Sequence, residues 1–246
     1  MTNPSNNISS AISRTRGVSR RLFYRCLRLI ARFVALLVFD LRTEGRHHLN
    51  LTGGGMLLST HQSLMDPVLV GLIANRRLNY LARKTLFKNA ALGLLIRVLD
   101  AIEIDRERGG LAGLREMLKR LQKGELVLLF PEGTRTQDGL VGTIKPGFIP
   151  VARRSQVPLI PIAVVGAYDC LPKGVRLPTR KPIAVVVGEP ILAETYLPMS
   201  DESLIAEVSE RLHKLHDRGE MLVFKLGPQR LVYTTPTIVL LHDDNY

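Results

Sequence analysis

Residues 108–135 read RGGLAGLREMLKRLQKGELVLLFPEGTR. Leu111, Leu114, Leu118 and Leu121 recur at helical spacing and form one apolar stripe, which predicts an amphipathic helix over residues 108–123. Directly behind it, Glu125 to Phe130 (ELVLLF) is a short apolar run suited to a buried strand. Pro131 and Gly133 then shape a tight turn. A helix that feeds straight into a buried strand is half of a βαβ unit.

The same rhythm continues in both directions. Upstream, the pattern predicts strands at 42–48, 56–60, 78–83 and 101–105, with helices at 66–75 and 84–98. Downstream it predicts a short helix near 147–155, strands near 158–165 and 182–187, and a helix over 200–217. The expected fold class is therefore α/β, a mainly parallel or mixed sheet with helices on both faces. In such a sheet the carboxyl ends of parallel strands share one rim, where ligands bind. His61 follows the strand at 56–60, Arg83 and Lys84 end the next, and Asp105 and Arg106 end the third. Pro131 to Arg135 follow the fourth. Packing alone does not require a histidine, carboxylates and arginines along one edge.

Charge points the same way. Lys and Arg number 34 against 22 Asp and Glu, a net charge of +12, which favours an anionic partner. Residues 1–46 hold nine arginines against Asp40 and Glu44, so +7 of that excess lies at the amino end. Residues 1–17 are polar and are expected to be a disordered tail. In residues 18–41 (VSRRLFYRCLRLIARFVALLVFDL) Arg21, Arg25, Arg28 and Arg32 share a helical face, with Leu22, Phe23, Leu29, Ile30 and Phe33 on much of the rest. Only seven uncharged residues separate Arg32 from Asp40, whereas a spanning helix needs about 20. The segment is expected to lie in a membrane interface, at the cytoplasmic face, with arginines on the headgroups. A solvated basic face on an ordinary packed helix is the alternative. Residues 42–219 would then form the main domain and 220–246 a carboxyl-terminal extension with no assigned role.

Cys26 and Cys170 make no disulfide or metal pattern, which suits a reducing compartment, and no His/Cys cluster suggests a metal. No Trp and 5% aromatic residues argue against stacking on nucleic acid bases.

Two motifs have both a structural and a chemical reading. In STHQSLMDP (residues 59–67), Asp66 and Pro67 have the chemistry of a helix cap and first turn. Alternatively, if the loop bends back, one Asp66 oxygen caps while the other accepts from a ring nitrogen of His61. The second ring nitrogen is then free to take a proton, as a general base. There is no G-x-S-x-G elbow, so such a base would activate a hydroxyl of the substrate. In FPEGTR (residues 130–135), Arg135 has the planar fork that suits phosphate, and Glu132 would hold that Arg or accept from a substrate hydroxyl. An ordinary turn with a surface ion pair is the alternative.

His61-Gln-Ser-Leu-Met-Asp66, Ile104-Asp105-Arg106, Phe130-Pro-Glu-Gly-Thr-Arg135 and Val157-Pro-Leu-Ile-Pro-Ile-Ala163, in this order, resemble the four motif blocks of glycerolipid acyltransferases. The branch most similar is the 1-acyl-glycerol-3-phosphate acyltransferases, also in RKTLF (83–87) and KPG (145–147). The resemblance covers residues 42–190. It implies transfer of a fatty acyl group from acyl-CoA or acyl-carrier protein to a lysophosphatidate-like acceptor at a membrane lipid surface, with no bound cofactor and no nucleic acid. By carry-over, His61 is the general base and Asp66 its partner, while Arg106, Glu132, Gly133 and Arg135 hold the acceptor. The block around Pro158 and Pro161 is associated with the acyl donor. Two departures bear on the acceptor: Thr60 stands where the family often has Asn, and the second block opens Asp100-Ala101-Ile102-Glu103. Another lyso-lipid acceptor therefore stays open, as does a non-catalytic binder of anionic membranes or nucleic acid. Backbone N–H groups near His61 are candidate donors to the developing oxyanion.

Overall fold

The computed structural model describes residues 39–76, 78–83, 101–104, 111–175 and 177–224. Seven strands form one sheet: β1 (Leu41–Glu44), β2 (Gly55–Ser59), β3 (Leu78–Arg83), β4 (Ala101–Ile104), β5 (Leu126–Leu129), β6 (Leu159–Val165) and β7 (Ile183–Val187). Their spatial order is β1-β7-β6-β2-β5-β3-β4. The five strands from β6 to β4 are mutually parallel, whereas β7 runs antiparallel to β6 and carries β1 parallel to itself at the far edge. The sheet is thus mixed. The antiparallel return is the one topological step the apolar pattern leaves unspecified, since β7 (IAVVV) is buried on both faces and shows no alternation.

Strand alternation divides the core into two layers. Leu57, Leu126, Leu128, Ile160 and Ile162 face helix α1 (Asp66–Ile73) on one side. Met56, Leu58, Val127 and Leu159 face the other. There they meet Met117 and Leu121 of α2 (Leu111–Gln122), Val151 and Ala152 of α3 (Ile149–Ser155), and Leu204, Val208 and Leu212 of the long last helix. Short helices α4 (Ala167–Cys170) and α5 (Ala193–Tyr196) precede that helix, α6 (Asp201–Phe224).

Several expected boundaries shift for local reasons. The first strand is shorter than 42–48, because the chain turns at Gly45 into a 3-10 turn over Arg46–Leu49. The last helix runs seven residues past the expected end at 217, so the first residues of the supposed extension 220–246 are helical. Leu222 and Val223 pack on Ala163, Val165 and Ala184, and this burial keeps the helix going. Phe39 is buried in the core and Leu41 opens β1, so the last residues of the expected 18–41 segment belong to the domain. The rest of that segment, the tail 1–17, the helix expected at 84–98 and residues 225–246 lie outside the described residues. Among the described residues, no helix is long and apolar enough to cross a membrane.

Candidate active site

β2 and β5 are adjacent parallel strands, so the loops leaving their carboxyl ends start side by side. The first carries His61 and the second FPEGTR, and three contacts bind them together. The His61 backbone N–H donates to Glu132 Oε1 at 3.0 Å. The Thr136 N–H donates to the His61 carbonyl at 2.8 Å. The Phe130 ring stacks on the imidazole, with centroids 3.9 Å apart and planes inclined by 17°. The histidine is held by its backbone on both sides and by its ring face.

Asp66 sits in the first turn of α1, with Met65 as the cap residue and Pro67 behind. Its side chain does not cap that helix. Instead the loop bends back so that a single oxygen, Oδ2, lies 2.8 Å from His61 Nδ1 and also accepts the N–H groups of Gln62 (2.7 Å) and Ser63 (2.8 Å). The expected division of labour between two carboxylate oxygens is therefore absent: Oδ2 has all three donors, and Oδ1 is buried without a hydrogen-bond partner. Complete burial pushes the Asp66 carboxyl up, opposed by His61 and then by the amides of Ser63 and Gln62. Two backbone N–H groups already donate to Oδ2 and mark it as an acceptor, which assigns the proton of the His61–Asp66 bond to Nδ1. Among the described residues nothing engages Nε2, and the side chain keeps 20% of its surface open to solvent. The pair can take up a proton at Nε2 and stabilise the imidazolium so formed.

Glu132 is only 3% exposed. Burial pushes its carboxyl up to about 7, against the pull of hydrogen bonds from the His61 and Gly142 backbones. Gly142 is a glycine for a steric reason, since a Cβ there would lie 2.9 Å from Glu132 Oε2. The expectation that Glu132 would hold Arg135 is not met, for its carboxyl turns inward and the two form no ion pair among the described residues. Gly133 makes the turn with φ 73, and the Lys145 ammonium hangs 3.4 Å from where its Cβ would be. Arg135 is half-buried and makes no hydrogen bond or ion pair within the described residues. Arg135 and Lys145 thus place two cations on and against the FPEGTR turn, which the Thr136 N–H ties to the His61 carbonyl. Arg106 lies outside the described residues.

The amides proposed for an oxyanion are already spent, because those of His61, Gln62 and Ser63 all point at carboxylates. Sequence reading also missed Gln62, which is buried behind the pair. It donates to the Gly139 carbonyl at 2.6 Å and accepts from the Tyr168 N–H at 3.2 Å. His216 of α6 reaches the same Gly139 carbonyl at 3.1 Å. A separation of 77 residues leaves no spacing signal for that contact. Thr60 closes the back of the site, its hydroxyl accepting the Val164 N–H at 2.9 Å.

With this geometry in view, four likenesses are informative. A family model described as acyltransferase matches residues 40–165, just over half of the 246 residues. The 1-acyl-sn-glycerol-3-phosphate acyltransferase of Bacillus subtilis is 26% identical over 174 residues, which is 70% of this chain and 84% of that protein. The chloroplastic enzyme of the same description from Brassica napus is 26% identical over 149 residues, 59% of this chain but only 43% of that longer protein. The crystal structure of the 1-acyl-sn-glycerophosphate (LPA) acyltransferase from Thermotoga maritima superposes with a TM-score of 0.71 at 25% identity, covering 87% of this chain and 85% of that one.

Proposed function

The chain belongs to the acyltransferase family, and on that premise we propose that it transfers a fatty acyl group to the free hydroxyl of 1-acyl-glycerol-3-phosphate, giving phosphatidate for phospholipid synthesis. The donor is an acyl thioester, acyl-CoA or acyl-carrier protein. The observation that carries this reading is the His61–Asp66 pair at 2.8 Å, its Nε2 unengaged among the described residues, tied to the FPEGTR turn and its two cations. The acceptor hydroxyl gives its proton to Nε2 as its oxygen bonds to the thioester carbonyl carbon. The tetrahedral centre collapses, the C–S bond breaks, and the departing thiolate takes the proton back from the imidazolium. No side chain becomes acylated. Asp66 fixes the tautomer and faces the positive charge while it lasts. Arg135, Lys145 and the Gly133 turn hold the phosphate, and Arg106 is assigned there by its motif. Glu132 acts as a positioning residue that fixes the His61 backbone.

The test is acyl transfer by the detergent-solubilised chain, with lysophosphatidate and lyso-lipids of larger headgroup offered in parallel and each thioester donor supplied in turn. Turnover on lysophosphatidate is expected to exceed that on the other acceptors. Arg135→Ala should raise KM for the phosphate acceptor about tenfold or more, the worth of a charge-assisted hydrogen bond. Preference for a larger headgroup would replace the acceptor, and no transfer from either donor would overturn the reading.

A further inference from the structure

The loop between α4 and β7 combines positive charge with exposed apolar side chains. From Leu171 to Gly188 the sequence has four cations, Lys173, Arg176, Arg180 and Lys181, and no acid. Lys173, Arg180 and Lys181 are exposed. Between them stand two large apolar side chains in water, Val175 and Leu177, the latter 79% exposed. A lone exposed leucine is ordinary, but two large apolar side chains within one run of cations are the start of a patch.

The loop also stands beside the site. It leaves the carboxyl end of β6, and the Ser63 hydroxyl donates to the Leu171 carbonyl at 2.9 Å, three residues from Asp66. Tyr168 is tied to Gln62 and, through its hydroxyl, to the Gln137 carbonyl. The exposed Leu64 and Leu140 lie on the two loops these bonds join. Helix α6 ends along the same edge, Gly219 lying against Val165, with Met221 and Phe224 exposed in its last turn. Of the large exposed apolar side chains among the described residues, only Leu192 is elsewhere. It follows Ile191, which bridges to Leu159 at the amino end of β6 and so marks the opposite edge of the sheet.

We propose that residues 172–181 are a membrane-docking loop, with Val175 and Leu177 inserting among acyl chains and the surrounding lysines and arginines resting on anionic headgroups. Cations around an apolar tip match an anionic lipid surface in both charge and depth. An acidic protein would satisfy the charge but gives Leu177 no apolar layer to enter. The inference rests on the reading of the site as one that acts on an amphiphilic acceptor. It sets that site facing the bilayer, so that the acceptor enters without leaving the lipid.

The chain has no tryptophan, which permits a test that needs no turnover. Full-length Leu177→Trp and Leu192→Trp are mixed with anionic phosphatidylglycerol vesicles, with and without lipids brominated in the acyl chain. Both variants share any contribution from residues 1–38, so only local immersion separates them. Leu177→Trp is expected to shift to the blue and be quenched, while Leu192→Trp keeps its aqueous spectrum. Lys173→Ala with Lys181→Ala should weaken vesicle partition by up to about thirtyfold at low salt, at roughly 1 kcal/mol per cation. Val175→Trp serves as the second probe should Leu177→Trp fold poorly. An unshifted loop tryptophan on protein that sediments with vesicles overturns the proposal, as does an equal response from Leu192→Trp. A response to acidic acyl-carrier protein but not to vesicles overturns it in favour of a protein partner. Acyl transfer measured in detergent stands or falls independently of all these readings.

Discussion

Glu132 shows how a single residue's environment becomes a measurable pH dependence. Its carboxyl is raised to about 7 by burial, from an ordinary value of 4.5. The folded state thus binds this proton more tightly than the unfolded chain does. The resulting stabilisation is full below about pH 4.5 and is lost as pH rises through 7, a change of up to about 3 kcal/mol. Glu132→Gln removes the titration. Urea denaturation at a series of pH values should therefore show the stability of wild type relative to Glu132→Gln falling between pH 4.5 and 8. A constant difference would mean that the carboxyl stays ionised throughout, held by the His61 and Gly142 amides. At this scale the sequence left two readings of Asp66 open, a helix cap or a partner for His61 should the loop bend back, and the structure has the second contact. The use of one Asp66 oxygen for three donors was not legible, since it depends on where two backbone amides point.

At the scale of elements, the site is stabilised by side chains that extend backbone ladders. Thr60 lies one residue past β2, and its hydroxyl accepts from the Val164 N–H and donates to the Val164 carbonyl, at 2.9 and 3.3 Å. It thus satisfies two buried backbone groups of β6 that the strand itself leaves unpaired at that point. Thr60→Val keeps the shape and removes both bonds. It should cost about 1–3 kcal/mol, read as a shift in the urea midpoint at unchanged slope. A cost under about 0.5 kcal/mol would mean that water or a shifted strand takes over. The departure at Thr60 is thereby explained by the sheet, without reference to the acceptor. Strands were legible wherever apolar runs were short and bounded: β3 falls on the expected residues 78–83, and β2, β5 and β6 fall within a residue of expectation. The pairing of β7 was not, for a strand buried on both faces reads the same in either direction. The length of α6 was hidden too, because its last turns are held by contacts with β6 and β7 rather than by any stop signal in the sequence.

For the molecule as a whole, +7 of the +12 charge lies in residues 1–46 and +4 in residues 171–188. Phe39 and Leu41 are core residues, so removing residues 1–38 should leave the domain folded. That truncation should lower sedimentation with anionic vesicles at least tenfold while acyl transfer in detergent persists. Unchanged sedimentation would mean that residues 18–38 are an ordinary packed helix and that the domain binds alone. The central claim concerns the chemistry, a general base acting without an acyl-enzyme. Its most direct test is single-turnover acyl transfer from a labelled thioester to lysophosphatidate by wild type and His61→Ala, with acceptor binding measured on both. The account predicts a rate lower by about 10²–10⁴-fold in His61→Ala, acceptor affinity within about threefold, and no label retained by wild-type protein. Turnover that survives in His61→Ala, or label left covalently on the wild type, would contradict it.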